Sequence, residues 1–143
     1  MADAAALALV VGATFSAAAA LAHLACIFVG PRAYRFMGAG ERMARAVEAG
    51  KLRPTLVTLA ISGVLLLFAA YALSGAGVVG TLPFTKLVLA LVSAIYLARA
   101  VAFPLLKPMF PENSNTFWWI SSGICGFMGL VHAYGTLALW LGS

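Results

Sequence analysis

Few side chains in this sequence could do chemistry, and they are unevenly placed. The acids are Asp3, Glu41, Glu48 and Glu112, the histidines His23 and His132, and the thiols Cys26 and Cys125. Every acid falls outside the long apolar runs, whereas both histidines, both cysteines, Lys86 and Arg99 fall inside them. A proton-coupled exporter relies on a carboxylate within the membrane, so the acid-dependent small multidrug transporters are disfavoured. Paired-carboxylate hydrolases and metal-dependent phosphoryl transfer need acids that move a proton or hold a cation, and they are disfavoured as well. The two cysteines are lone thiols deep in apolar segments, with no CxxC pair, and read as redox-inert. Gly-rich phosphate loops, HExxH and a nucleophilic serine with an acid partner are absent, and no metal is expected.

Two histidines on two apolar segments raise the question of bis-histidine haem, which depth arithmetic addresses. His23 stands six residues before Val29, roughly 9 Å from the end of its segment, and His132 fifteen residues after Phe117, roughly 22 Å from the same face. Axial ligands must meet across one iron, so a difference of roughly 13 Å argues against an intramolecular pair. No cofactor is therefore expected, with haem kept as the one alternative. Each histidine alone reads first as an interior polar residue bonded to a hydroxyl or a carbonyl.

Arg99, four residues before Phe103, is the other intramembrane candidate. Snorkelling to the interface is its simplest reading, but side chains lean toward a helix's N-terminus, which here points deeper. At a similar depth the other segments offer His23, Thr58 or Ser62, and Ser121 or Ser122. Together these could line a polar pocket able to hold a phosphate or carboxylate. A second layer nearer the opposite face is expected from Thr14, Tyr71, His132 and Tyr134, and Lys86 reads as an interface anchor.

The elements that must position these residues follow from composition. Of 143 residues, 64% are hydrophobic and 9% charged, with mean hydropathy +1.03, against roughly 25% charged in a soluble domain. That composition excludes disorder and a water-soluble fold. At about 20 residues per span the chain holds four transmembrane helices and little else. The expected fold is an all-α integral membrane protein, an antiparallel four-helix bundle forming one domain. Its spans run over about 4–29, 54–73, 83–103 and 117–141, punctuated by Gly30-Pro31, Pro54, Gly75-Ala-Gly77, Pro83 and Pro104. The first reads as a retained span because it is too long for a signal peptide and has no basic residue before Arg32. Trp118, Trp119 and Trp140 bracket the last at two interfaces.

The connection 30–53 carries Arg32, Arg35, Arg42, Arg45, Lys51 and Arg53 against two acids, and Lys107 lies in the third connection. The positive-inside bias makes both connections cytoplasmic and both termini periplasmic. The net charge of +5 is then a topology signal with a side role at anionic lipid headgroups, and nucleic acid is not an expected partner. Within this loop Glu41 and Arg45 sit four apart on a short helix over 41–49, whose Met43 and Val47 could face the membrane. Small residues recur every fourth position at Gly12, Ser16 and Ala20 and at Cys125, Gly129 and Ala133, which lets backbones approach closely in lipid. They make the first and last spans expected neighbours, packed within one chain or between the protomers of a homodimer.

The runs Tyr34-Arg-Phe-Met-Gly-Ala-Gly-Glu41, Tyr71-Ala-Leu-Ser-Gly-Ala-Gly77 with Leu82-Pro83, Ile95-Tyr-Leu-Ala-Arg99, Trp119-Ile-Ser-Ser122 and Gly129-Leu-Val-His-Ala-Tyr-Gly135 cover most of the chain. In these the sequence resembles small four-span proteobacterial inner-membrane proteins of unknown function. The resemblance implies a bacterial inner-membrane location and supplies no activity. The basic first loop and Lys86 are also similar to the four-span protoporphyrinogen-oxidase type of haem-synthesis protein, from which the chain departs in histidine placement. The functional expectation is a non-catalytic membrane protein that binds an apolar or amphipathic ligand, or serves as a subunit of a membrane assembly. Its candidate ligand residues are His23, Ser62, Tyr71, Arg99, Ser122 and His132. The rivals are a membrane enzyme on a lipid-like or isoprenoid substrate, with a histidine as acid-base group, and then a carrier or channel.

Overall fold

A computed structural model of the chain describes residues 2–142, with side chains from Ala4 onward, so the side chain of Asp3 lies outside the described residues. Among the described residues the fold is all helix: α1 (Ala2–Val29), α2 (Pro31–Phe36), α3 (Glu41–Glu48), α4 (Arg53–Gly75), α5 (Thr85–Val101), α6 (Phe103–Leu106), a 3-10 turn (Lys107–Met109) and α7 (Asn115–Leu141). The breaks are chemical. Gly30 adopts φ 97°, the left-handed region open to glycine, and Pro31 then opens α2. The Ser114 hydroxyl caps α7 by accepting from the Phe117 N–H at 3.0 Å.

Three helices are long and apolar enough to cross a membrane: Ala4–Val29, Arg53–Gly75 and Asn115–Leu141. The expected third span over 83–103 is shorter and broken. Helix α5 ends at Val101, and the following Phe103–Met109 segment turns away by 60°. Pro104 has no N–H to extend the ladder of α5, and its ring would collide with the carbonyl four residues back. Counting the bent pair as one span gives a fourth.

The long helices pack antiparallel in the cyclic order α1, α4, α5, α7, as residue pairs along each seam show. Ala20 of α1 meets Ser62 of α4, Phe68 of α4 meets Tyr96 of α5, Leu97 of α5 meets Gly129 of α7, and His132 of α7 meets Gly12 of α1. Small residues make these approaches possible. A Cβ on Gly129 would stand 2.6 Å from Leu97, and one on Gly75 2.6 Å from Leu89. The two four-residue stripes do not face each other as a pair. Gly12 packs on α7, but Gly129 packs on α5, because successive small residues on a 3.6-residue helix drift around its axis. Leu9, Ala13, Ala69, Ala72 and Leu89 form the core near the termini. Only 33%, 28% and 28% of the three spans is buried. Large apolar residues such as Leu7, Leu21, Leu67, Leu91 and Leu130 therefore point outward.

The opposite, basic end is tied together by polar contacts. The Tyr34 hydroxyl bonds Thr58 Oγ1 at 2.9 Å, fastening α2 to the first turns of α4. Arg35 donates to both Glu41 oxygens at 2.9 and 2.8 Å and to Glu48 at 3.2 Å. The Glu41 N–H donates to Glu112 at 2.6 Å, and the Asn113 amide to the Gly38 carbonyl at 3.1 Å. These last two bonds clip the α2–α3 segment onto the loop before α7. Met43 and Val47 are half-buried against this end.

Candidate ligand cleft

A cavity of about 980 Å³ opens at the basic end. Its walls come from α1, α4, α5 and α7, and residues 35–38 and 112–114 border its mouth. Leu65, Ile124 and Met128 line its apolar part, while His23, Arg99 and Ser121 supply polar atoms. The size is that of a small-molecule site, apolar with a few convergent polar groups.

Arg99 is built into this wall by its own spacing and that of α7. Trp118, Ser121 and Ser122 share one helix face at i, i+3 and i+4. The guanidinium lies over the Trp118 ring at 5.3 Å and donates to Ser121 Oγ at 3.1 Å and Ser122 Oγ at 3.3 Å. A guanidinium has five donor hydrogens, so two hydroxyls leave donor capacity unused. No carboxylate among the described residues pairs with it; the ion pairs there are Arg35 with Glu41 and Glu48, and Arg45 with Glu41. Arg35 also borders the cleft, but its charge is already matched. The pairing raises the pKa of Arg35 and holds the Glu41 carboxyl below the usual carboxylate range, through Arg35's hydrogen bonds first.

His23 is half-buried, with Nδ1 2.7 Å from the Ala19 carbonyl. A carbonyl can only accept, so Nδ1 carries a proton, and Nε2 has no partner among the described residues. Trp118 is 3% exposed, and its indole N–H has no acceptor. A buried donor left unpaired costs about 1–3 kcal/mol. Arg99 and His23 thus bring a lone charge and an unpartnered ring nitrogen to one space, while the Trp118 N–H is sealed from it.

The second histidine sits in a different setting. His132 is fully buried, its Nδ1–H donating to the Met128 carbonyl at 2.6 Å. Its ring stacks on Tyr96 at 5.2 Å, and the Tyr96 hydroxyl reaches across the bundle to Ser16 Oγ at 2.6 Å. Gly12 makes the room: a Cβ there would lie 2.6, 2.8 and 3.0 Å from Cε1, Nε2 and Nδ1 of the imidazole. His132 does not line the cleft. Gly12, which it touches, lies eleven residues from His23, about 16 Å along α1.

Of the expected polar pocket, His23, Arg99 and Ser121 line one cavity, and Ser122 reaches it through Arg99. Ser62 donates instead to the Ala20 carbonyl at 3.4 Å between α1 and α4, and Thr58 is committed to Pro54 and Tyr34. The expected second layer does not assemble. Tyr71 donates to the Pro83 carbonyl at 2.9 Å, Thr14 back-bonds to Val10 at 2.9 Å, and Tyr134 is exposed, leaving His132 with Gly12, Tyr96 and Ser16. Lys86 lies over Trp140 at 5.6 Å at the far end. Cys26 and Cys125 are free thiols, Cys125 at the cleft wall. Sequence reasoning missed Tyr34 and Tyr96. The spacing of Tyr96 three residues before Arg99 puts both on one face of α5 and could have found it. Among the described residues no group of three or more His, Cys, Asp or Glu could hold a metal ion. No family model, no curated protein and no solved structure matches this chain.

Proposed function

We propose that the chain is a four-span protein of a bacterial inner membrane, with its basic end in the cytoplasm and both termini in the periplasm. We propose further that it binds an amphipathic ligand in the cleft without transforming it, either alone or as a subunit of a larger membrane assembly. The membrane assignment is supported by the outward-facing apolar surface of long helices. Its orientation is supported by the gathering of arginine and lysine in 30–53, against no charge in 76–82. The binding role rests on one observation: the same cavity is lined by the Arg99 guanidinium, which has no ion pair among the described residues, and by the apolar side chains of Leu65, Ile124 and Met128. A molecule with a polar head and an apolar body satisfies both at once.

The test is native mass spectrometry of gently solubilised protein, with extraction and identification of whatever stays bound. A retained amphiphile is the expected result. Bare protein that takes up no added lipid would overturn the reading. The rival reading, an enzyme on a lipid-like or isoprenoid substrate, draws on the unpartnered Nε2 of His23 in the cleft. It requires His23→Ala to abolish turnover in a folded protein, whereas a binding protein changes only in ligand retention.

A further inference from the structure

We infer that the cleft selects an amphiphile whose head is an oxyanion, phosphate or carboxylate, with Arg99 taking the head's oxygens. This specifies the head of the ligand and rests on the reading that the cleft holds an amphiphile. Charge complementarity carries the inference. Besides Arg99, the ionisable groups bordering the cavity are His23, Arg35, Tyr96, Glu112 and Cys125. Arg35 is matched by Glu41 and Glu48, and Glu112 accepts from the Glu41 N–H. Arg99 is the cation bordering the cavity that has no ion pair among the described residues, and it is pre-oriented by Trp118, Ser121 and Ser122. A planar guanidinium with unused donors, held beside apolar surface, is matched by an oxyanion.

His23 Nε2, without a partner among the described residues, borders the same cavity. A cavity of about 980 Å³ is far larger than an inorganic anion needs, and its apolar lining fits a chain.

The experiment titrates detergent-purified, delipidated protein with dioleoyl phosphatidic acid, dioleoyl phosphatidylmethanol, dioleoylglycerol and inorganic phosphate, reading apparent Kd by native mass spectrometry. Phosphatidic acid should bind at least about tenfold tighter than dioleoylglycerol, and inorganic phosphate should not displace it. Arg99→Gln should remove that preference while leaving dioleoylglycerol binding unchanged. Arg99→Lys, which keeps the charge should the glutamine variant not fold, should retain part of it. Phosphatidylmethanol, which is also anionic, should share the preference over dioleoylglycerol, and binding of it no tighter than that of dioleoylglycerol would overturn the proposal. Equal binding of all three lipids would overturn the proposal and leave the amphiphile reading standing. Competition by inorganic phosphate would make this a small-anion site and overturn it, as would an undiminished preference in both Arg99 variants. Binding of none of the lipids would overturn the proposal and the reading beneath it.

Discussion

The two histidines occupy two polar layers of the same bundle that share a motif and an unpartnered Nε2, and differ in how much open space adjoins the ring. Each ring gives its Nδ1–H to the carbonyl four residues earlier on its own helix, Ala19 for His23 and Met128 for His132. The His132 ring itself fills the room left by Gly12, with Tyr96 stacked on it, and the Tyr96–Ser16 bond spans the bundle diagonally. Around His23 the space is open, bordered by a guanidinium with no counterion. A polar residue in an apolar helix is thus not a site by its identity. Whether neighbours close on it or leave a cavity decides between holding helices together and holding a ligand.

The contrast can be broken at its tightest point first. Gly12→Ala should lower stability by about 1–3 kcal/mol, because the imidazole it would meet is pinned by Tyr96 and Met128. His132→Ala in the same chain should recover part of the loss; thermal unfolding in detergent with no recovery would show that the closed layer does not set the cost. Next comes Arg99→Gln, with its expected loss of about tenfold or more in phosphatidic acid affinity and little change in unfolding temperature of the empty protein. Tyr96→Phe should follow at about 0.5–1.5 kcal/mol, since Ser16 is fully buried and loses its cross-bundle partner.

Smaller effects belong to the clip over the cleft mouth. Glu112→Ala frees the Glu41 N–H and should speed hydrogen exchange there without moving global unfolding, the contact being exposed. Acid should act on the same segment. The Glu41 carboxyl is held below its usual range in the folded chain, so its contribution is complete above the ordinary carboxylate pKa of about 4.3 and is lost as pH falls through the depressed value. Exchange across α2 and α3 should therefore rise in acid before α1 or α4 loosens. Uniform loosening of all helices would contradict that assignment.

The helices were legible in the sequence because long apolar runs and Gly-Pro punctuation act locally. The short α2 was not, since six residues carry too little periodicity and its anchor, Tyr34, depends on Thr58 being brought beside it. The break at Val101 was half-legible: Pro104 marks it, but only the fold shows the 60° turn. The candidate site divides along the same line. Position along a span gives depth, so His23, Arg99 and Ser121 could be grouped from sequence alone. It does not give the direction a residue faces. Ser62 shares that depth but turns to the Ala20 carbonyl, and Thr14, Tyr71 and Tyr134 scatter around the bundle away from His132.

The central claim is that one polar layer binds and the other holds. Native mass spectrometry of Arg99→Gln and His132→Ala beside the parent protein, scored for amphiphile retained per chain, tests it most directly. The account predicts that the arginine variant retains clearly less anionic amphiphile per chain than the parent, while the histidine variant, though less stable, keeps the parent's bound mass. Loss of the bound mass from His132→Ala with retention in Arg99→Gln, or equal retention in both, would contradict it.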